Sequence, residues 1–416
     1  MAEGKCQSLL ETERLHKMKY KVFFYIGLLP FLGLVVRARE WQFPRTPSLS
    51  SSQSPLGVVS SGTDQGAGDD DIDIEYGSQF HGLTTYGNIP YLNCFSDKVL
   101  EGVENSTYDI AIIGAPFDTG VTARPGARYG PRGIRAASQR IKAESGYSVY
   151  TGKNALQSWA TVVDCGDVPL TFLDNNYALK QLTKGHKVVS GRKATSEDRA
   201  ETPRIITLGG DHTTTLPALR STFDHWGPVS VIHFDSHIDT WDPSVLGGDI
   251  SDYAGVNHGT FLHIAHEEGL VTNASIHAGI RAPLMRPKGD ILNDERCGFA
   301  RLTARDIDRF GVSGVVSRIR ARVAGNPVYI SVDIDVLDPA FAPATGTPEP
   351  GGWSTRELLS ILDGLTGLPV VGADVVEVSP AYDTRGETTS LAAAEVALSL
   401  LGLMVDTSVK PVKPRG

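Results

Sequence analysis

The stretch Val229–Asp242, "VSVIHFDSHIDTWD", joins an apolar run to a cluster of carboxylate and imidazole side chains. Its first half is mostly apolar, which is typical of a strand that is buried on both faces. Asp235, His237 and Asp239 then follow at alternate positions, and alternate residues of an extended chain point to the same side. The two carboxylates would repel each other unless a positive charge lies between them. The stretch therefore predicts a buried strand whose carboxyl end holds a metal ion.

Short apolar runs recur along the chain and alternate with amphipathic segments. The runs lie at 109–114, 160–166, 204–210, 229–235, 275–281, 328–335 and 370–378. Clear amphipathic segments lie at 130–141, 216–224, 313–323 and 355–365. Strands that are apolar on both faces and alternate with helices indicate a parallel sheet with helices on both sides. The sequence therefore predicts a three-layer α/β domain with right-handed connections.

Acidic and imidazole residues also follow three other predicted strands. "RIITLGGDHT" carries His212, "YISVDIDVLDP" carries Asp333 and Asp335, and "VVGADVVEVSP" carries Glu377 near its end. Because the carboxyl ends of parallel strands meet at one edge of a sheet, we expect these side chains to converge. Leaving Glu377 aside, the candidate metal ligands are His212, Asp235, His237, Asp239, Asp333 and Asp335.

Most of these candidate ligands are carboxylates, and they cannot all be buried without a countercharge. Oxygen and imidazole ligands without thiolate favour a hard or borderline ion such as Mn²⁺. The carboxylates are too many for one divalent ion, so we expect two ions that share bridging carboxylates and lower the pKa of a water between them. Two neighbours, His233 and Asp211, are expected to lie behind the ligands rather than to bind metal.

Three motifs resemble a known family. "GGDHT", "FDSHID" and "SVDIDVLDPAFAPATGTPEPGG" closely resemble the metal motifs of the ureohydrolases, the arginase and agmatinase family. The segments at 80–95 and 114–135 are similar to those of agmatinase-type members. The resemblance implies an arginase-like three-layer α/β fold, with a parallel eight-stranded sheet flanked by helices. It also implies two Mn²⁺ ions per subunit, hydrolysis of a guanidinium group to urea and an amine, and a homo-oligomer that is a trimer or hexamer.

The resemblance also assigns roles by position. One ion would be held by His212, Asp235, Asp239 and Asp333. The other would be held by His237, Asp235, Asp333 and Asp335, so that Asp235 and Asp333 bridge. Glu377 resembles the acid that binds the guanidinium, and His258 resembles the histidine that shuttles protons near the leaving amine. Asp239 is expected to pass a proton during the same reaction.

The loop before His258 is the region that bears on the substrate. It reads "TWDPSVLGGDISDYAGVNHGT", and we expect Asn257 and Asp242 in it to contact the substrate. With Asp249 and Asp252 it forms an acidic mouth, which suits a substrate with a distal ammonium such as agmatine, giving putrescine. Two alternatives stay open: a guanidinobutyrase or other guanidino-acid ureohydrolase, and a secreted non-catalytic metal-binding protein on the same scaffold.

Composition excludes some other classes. The formal net charge is -9 over 416 residues, and no dense block of Lys and Arg is present, which argues against a nucleic-acid surface. The four cysteines, at 6, 94, 165 and 297, contain no CxxC pair, and we expect no disulfide framework. The segment at 183–202 has the composition of a charged surface insertion.

The amino-terminal segment has the layout of a secretory signal peptide. Basic residues at 17, 19 and 21 precede a short apolar run, and a small-residue pattern follows at 36–38. The run is short for a stable membrane span. We expect a signal peptide or leader at 1–38, a disordered linker at 39–78, the ureohydrolase domain at 79–406 and a tail at 407–416. Secretion is the expected localisation, with a cytoplasmic or mitochondrial location as the alternative.

Overall fold

The computed structural model describes residues 82–95 and 107–409. Its centre is a sheet of eight strands in the order β2-β1-β3-β8-β7-β4-β5-β6. The strands are β1 Ile110–Gly114, β2 Val162–Asp167, β3 Arg204–Leu208, β4 Ser230–Phe234, β5 Ser275–Ile280, β6 Phe299–Thr303, β7 Val328–Asp333 and β8 Val370–Val376. Every pairing between neighbours is parallel. The predicted eight-stranded parallel sheet is therefore confirmed.

Helices cover both faces of this sheet. They are α1 Gly130–Ala137, α2 Asn175–Ser190, α3 Thr215–Trp226, α4 Phe261–Glu267, α5 Pro287–Arg296, α6 Asp306–Val323, α7 Thr355–Gly364 and α8 Thr388–Asp406. Helices α1, α6, α7 and α8 pack together on one face, while α2, α3 and α4 pack on the other. The central strands β3, β4, β7 and β8 are buried along their whole length. Burial on both faces explains why their sequences are near-continuous apolar runs.

Helix α8 is apolar enough to raise the question of a membrane span. Among the described residues it is the one helix with the length and composition to cross a bilayer. Most of that apolar length is buried, and α8 packs against α1, α7 and β8. Burial in the core accounts for its composition.

Two expectations about chain segments are corrected. Residues 183–190 of the expected charged surface insertion complete α2, and Gly185, His186 and Val189 are buried there. The apolar positions of this stretch are spaced at helical intervals and face the core, which composition alone does not reveal. Strand β6 does not appear among the apolar runs because it is an edge strand with partly exposed residues.

The cysteine expectation is wrong for one pair. Cys94 and Cys165 form a disulfide across 71 positions of sequence. Residue Tyr91 bridges to Asp164 in parallel register, which lays the segment before Cys94 along β2, where Cys165 lies. The spacing of the cysteines gives no hint of this contact, because it depends on the pairing of that segment with the sheet. The expected leader at 1–38 and linker at 39–78 lie outside the described residues.

Candidate metal and active site

The predicted ligands converge at the carboxyl ends of four adjacent strands, β3, β8, β7 and β4. The side chains that meet there are His212, Asp235, His237, Asp239, Asp333, Asp335 and Glu377. All of them except His237 are buried, and His237 is partly exposed. The parallel sheet produces this convergence because each strand delivers its last residues to the same edge.

His212 lies at the centre of one group of side chains. Its Nδ1 is 3.1 Å from Asp235 Oδ2, 3.2 Å from Asp239 Oδ2 and 3.2 Å from Asp333 Oδ2. These carboxylates come from the ends of β4 and β7, whereas His212 follows β3. The ring nitrogen therefore faces three acceptor groups from two other strands.

The other nitrogen of His212 is fixed by a chain of hydrogen bonds. Nε2 is 2.7 Å from Ser331 Oγ, and Ser331 Oγ donates to Asp374 Oδ1 at 2.6 Å. Asp374 also accepts from Thr215 Oγ1 and Tyr329 Oη, so it acts as an acceptor throughout. The Ser331 hydroxyl has one hydrogen, which goes to Asp374, so His212 Nε2–H must donate to Ser331. In the neutral ring, Nδ1 then presents a lone pair to the carboxylates, as a metal ligand does.

His237 gathers a second group of side chains. Its Nδ1 is 3.2 Å from Asp235 Oδ1 and 3.1 Å from Asp335 Oδ2. Ser236 holds Asp335 in place, since both its N–H and its hydroxyl donate to Asp335 Oδ1, at 3.1 and 2.8 Å. Asp235 uses one oxygen in each group and so lies between them.

The donor set fits metal ions. Two groups of ligand atoms are close enough to hold one: His212, His233, Asp235 and Asp239 in the first, and Asp235, His237 and Asp335 in the second. Three buried atoms of the first group, His212 Nδ1, His233 Nε2 and Asp235 Oδ2, have no hydrogen-bond partner among the described residues. Such atoms are costly unless a ligand binds them. His233, which we expected behind the ligands, lies 3.1 Å from Asp235 Oδ2 through Nε2.

The raised pKa values of the clustered carboxyl groups also favour a bound metal ion. Burial and the nearby charge of Asp235 raise the pKa of Asp239 to about 6. Burial and the charges of Asp335 and Asp235 raise the pKa of Asp333 well above its usual range. Carboxylates packed this closely resist ionisation together, and a divalent cation between them removes that penalty.

Glu377 and His258 form the second part of the site. His258 Nδ1 lies 2.9 Å from Glu377 Oε1, and the same oxygen accepts from the main-chain N–H of His212 at 2.9 Å. Thr122 lies over the opposite ring nitrogen, with its hydroxyl 2.8 Å and its N–H 3.1 Å from His258 Nε2. Burial lowers the pKa of His258, but the Glu377 carboxylate outweighs it and raises that pKa to about 9.

The loop residues predicted to contact the substrate are engaged within their own loop. Asp242 Oδ1 accepts from the N–H and the hydroxyl of Ser244, at 2.9 and 2.8 Å. Asn257 Nδ2 donates to the carbonyl oxygens of Leu246 and Ala254, both at 2.9 Å. Asp249 and Asp252 are exposed. Substrate contacts by Asn257 and Asp242 stay predictions.

Three residues of the site were not predicted from the sequence. Ser331 and Asp374 are buried polar residues inside apolar strands, and that contrast is the signal that could have found them. Thr122 belongs to the segment at 114–135, whose resemblance to agmatinase-type members gave no role to individual residues. Its position over His258 is set by the path of the loop after β1.

Comparison with known sequences covers the whole of this site. The arginase family model matches residues 108–402. A Schizosaccharomyces pombe protein named "Putative agmatinase 1" is 47% identical over 390 residues, which span 92% of this chain and 96% of that protein. A Neisseria meningitidis serogroup C protein named "Agmatinase" is 38% identical over 297 residues, 71% of this chain and 87% of the other.

Solved structures show the same similarity. Proclavaminate amidinohydrolase from Streptomyces clavuligerus superposes with a TM-score of 0.68 at 34% identity, over 79% of this chain and 98% of its own. A structure described as a hypothetical agmatinase from Burkholderia thailandensis superposes with a TM-score of 0.64, also at 34% identity, over 78% of this chain and 91% of its own. The similarity thus extends well beyond the residues that form the site.

Proposed function

Because this chain belongs to the arginase family and is a ureohydrolase, we propose that it is an agmatinase that uses two bound Mn²⁺ ions. The reaction would split the guanidinium group of agmatine to give urea and putrescine. The observation that carries the proposal is the free oxygen of Glu377. Its Oε2 is buried beside the ligand cluster and has no hydrogen-bond partner among the described residues. A guanidinium N–H is the donor that suits a buried carboxylate oxygen.

The ligand cluster defines what the ions would contribute. The groups around His212 and around His237 would each hold one ion, with Asp235 common to both. When bound, the ions supply a water of lowered pKa as the nucleophile. Oxygen and imidazole ligands without thiolate support Mn²⁺ as the metal.

The protein's own residues orient the substrate and handle protons. Glu377 would fix the plane of the guanidinium through Oε2, with its other oxygen held by His212 N–H. Asp239, whose Oδ2 lies 3.2 Å from His212 Nδ1 within the first ligand group, is placed to accept a proton and return it. His258, held against Glu377, is placed to protonate the amine that leaves.

The choice of agmatine rests on the names of the relatives and on Asn257. An α-carboxylate, as in arginine, needs hydrogen-bond donors at the mouth of the site. The side-chain N–H groups of Asn257 are already donated to Leu246 and Ala254. An unmatched carboxylate that loses its water costs several kcal/mol. Agmatine has no such group.

One observation favours a second candidate, a guanidino-acid ureohydrolase. Arg124 belongs to the loop that carries Thr122 over His258, and its guanidinium is exposed 5.6 Å from the ring centre of Tyr382. An exposed arginine near the site suits a substrate with a distal carboxylate, such as 4-guanidinobutyrate. This charge would repel the distal ammonium of agmatine.

Urea release from a panel of guanidines tests both candidates. Agmatine, 4-guanidinobutyrate and arginine are each assayed with added Mn²⁺. We expect kcat/KM for agmatine to exceed that for arginine by about a hundredfold, from several kcal/mol at about 1.4 kcal/mol per tenfold. Equal turnover of arginine would refute the agmatinase proposal. A preference for 4-guanidinobutyrate that Arg124→Gln abolishes would establish the second candidate instead.

Localisation and assembly complete the proposal. We propose that the chain enters the secretory pathway, and the Cys94–Cys165 disulfide supports an oxidising compartment. Sequencing the amino terminus of the native protein should show cleavage after position 38, and an intact start in a cytosolic fraction would contradict it. We also propose a homo-oligomer, trimer or hexamer, which sedimentation analysis of the purified chain would test.

A further inference from the structure

We propose that Arg281 is a positioning residue for the metal-binding group that contains His237 and Asp335. The inference rests on the proposed metal centre, because it assigns Arg281 a role in shaping that centre. Arg281 follows directly after β5, which ends at Ile280. It is half-buried beside the turn that follows β7.

The guanidinium binds the main chain that carries Asp335. Nη2 donates to the carbonyl oxygens of Asp335 and Leu337, at 2.6 and 3.1 Å. Nη1 donates to the carbonyl oxygen of Val336 between them, at 3.1 Å. Three consecutive carbonyl oxygens therefore turn toward one side chain, and this fixes the backbone from which the Asp335 carboxylate projects.

The same guanidinium binds the loop that contains Glu349, whose carboxylate lies near His237. Nε and Nη2 both donate to the carbonyl oxygen of Glu349, at 3.0 and 2.7 Å. The Glu349 carboxylate lies 3.9 Å from His237 Nε2. The main-chain N–H of Arg281 donates to Ser236, the residue before His237, at 3.0 Å. Arg281 thus connects the three segments that surround this metal-binding group.

The backbone is shaped to admit the guanidinium. The β5 register shifts between Ala278 and Ile280, around Gly279, whose φ is 110°. A side chain at Gly279 would meet Val336 Cγ2 at 2.4 Å, and one at Gly352 would meet Arg281 Nη2 at 2.6 Å. Such a bulge re-aims the residue that follows it. Glycine at both positions allows the close approach on which the contacts of Arg281 depend.

Lysine cannot replace these contacts. A guanidinium has five N–H donors in a fixed plane, whereas an ammonium has three on a flexible stem. Because the acceptors belong to different segments, Arg281→Lys would keep the charge but release part of the backbone. Residues that orient metal ligands in this way typically change metal affinity ten- to hundredfold when they are replaced.

Arg322 offers a matched control. It also donates to main-chain carbonyl oxygens, those of Ser275, Asn273 and Gly298. Ser275 begins β5, whereas Arg281 follows its end. Arg322 therefore binds at the amino ends of the strands, and the site lies at their carboxyl ends. Loss of either arginine removes hydrogen bonds to backbone, but only Arg281 touches the segments that carry ligands.

The test is a titration of the metal-free full chain with Mn²⁺. The electron paramagnetic resonance signal of free Mn²⁺ reports how much of the ion stays unbound at each step. Four variants are compared with the parent: Arg281→Gln, Arg281→Lys, Arg322→Gln and Arg322→Lys. We expect both Arg281 variants to weaken one Mn²⁺ site about ten- to hundredfold. The Arg322 variants should bind Mn²⁺ within about twofold of the parent, while thermal unfolding of the metal-free chain falls in both pairs.

The outcomes separate this inference from the proposed function. A parent chain that binds no Mn²⁺ contradicts the metal centre itself. A parent that binds two ions, with Arg281→Lys folded and unchanged in affinity, overturns the role of Arg281. Equal weakening by Arg281 and Arg322 variants would also overturn it, because the effect would then be general destabilisation. If Arg281→Gln fails to fold, the comparison of Arg281→Lys with Arg322→Lys still decides.

Discussion

Asp239 and Glu377 share the left-handed backbone region, with φ values of 51° and 63°, although neither is glycine. Both side chains face His212: Asp239 Oδ2 lies 3.2 Å from its Nδ1, and Glu377 accepts from its N–H at 2.9 Å. This backbone region costs a residue with a side chain about 1–3 kcal/mol. The fold accepts that cost at the two carboxylates proposed to move a proton and to bind the guanidinium.

Glu377→Gln should strongly lower kcat/KM without loss of metal. The amide would leave the guanidinium unpaired in a buried site, at a cost of about 3–5 kcal/mol. We expect kcat/KM for agmatine to fall by about a thousandfold at about 1.4 kcal/mol per tenfold. Steady-state kinetics and metal analysis of the same preparation measure both quantities. Activity above one tenth of the parent value would remove Glu377 from the substrate site.

Asp235→Asn should remove bound metal from both groups, because each group uses one of its oxygens. We expect no tightly held Mn²⁺ after gel filtration and no detectable urea release. The matched control is Asp109→Asn, a buried carboxylate that accepts from the N–H groups of Thr161 and Ser196. The control should lose stability but keep its metal. Two ions retained by Asp235→Asn would show that the ligand assignment is wrong.

Ser331→Ala should weaken metal binding although Ser331 is not a ligand. It removes the acceptor that holds His212 Nε2–H and so frees the ring to turn or change tautomer. We expect Mn²⁺ affinity to fall about ten- to hundredfold, measured by calorimetric titration of the metal-free chain. Ser230→Ala, at the start of β4, is the control, since its hydroxyl bonds only to Thr272 among the described residues. An affinity equal to that of the control would contradict the prediction.

His186 should make stability depend on pH. It belongs to α2 and lines a cavity together with Ser190, Thr207 and His225, and burial lowers its pKa to about 3. In the unfolded chain the His186 imidazole takes up a proton near pH 6.5, whereas in the folded chain it stays neutral down to about pH 3. The free energy of unfolding therefore falls as pH falls from about 6.5 to about 3, by up to about 1.4 kcal/mol per pH unit.

Urea unfolding of the metal-free chain at several pH values measures this effect. His186→Leu should flatten the slope relative to the parent, since leucine has no proton to take up. His225, in the same cavity, also has a pKa lowered by burial and contributes to the slope that remains. His266→Gln, outside the cavity, should leave the slope unchanged. Parallel slopes for the parent and His186→Leu would contradict the assignment.

The sequence predicted the sheet well because its central strands are buried on both faces and read as continuous apolar runs. It also predicted that the candidate ligand side chains would lie together, since parallel strands deliver their carboxyl ends to one side of the sheet; their binding of metal stays a prediction. The contrast of Ser331 and Asp374 with their apolar strands marks them as unusual in the sequence, but their contact with His212 depends on how neighbouring strands pair. The roles of Arg281 and Thr122 were also not predictable, since only the folded loops bring them to the main chain around Asp335 and to His258. The Cys94–Cys165 pair depends on the same kind of long-range pairing.

The segment bonded along β2 has a consequence for the solution behaviour of the chain. An uncovered edge strand offers unpaired backbone groups to other chains and invites association. Leu92 N–H donates to the carbonyl oxygen of Asp164 at 3.0 Å and Asp164 N–H donates to that of Pro90 at 2.9 Å, so this segment covers β2 at Asp164. Cys94–Cys165 fastens the covering segment to β2. Reduction of the Cys94–Cys165 disulfide would therefore affect the β2 edge of the sheet more than the metal site. It would let the covering segment detach and expose backbone groups of β2 that can pair with another chain.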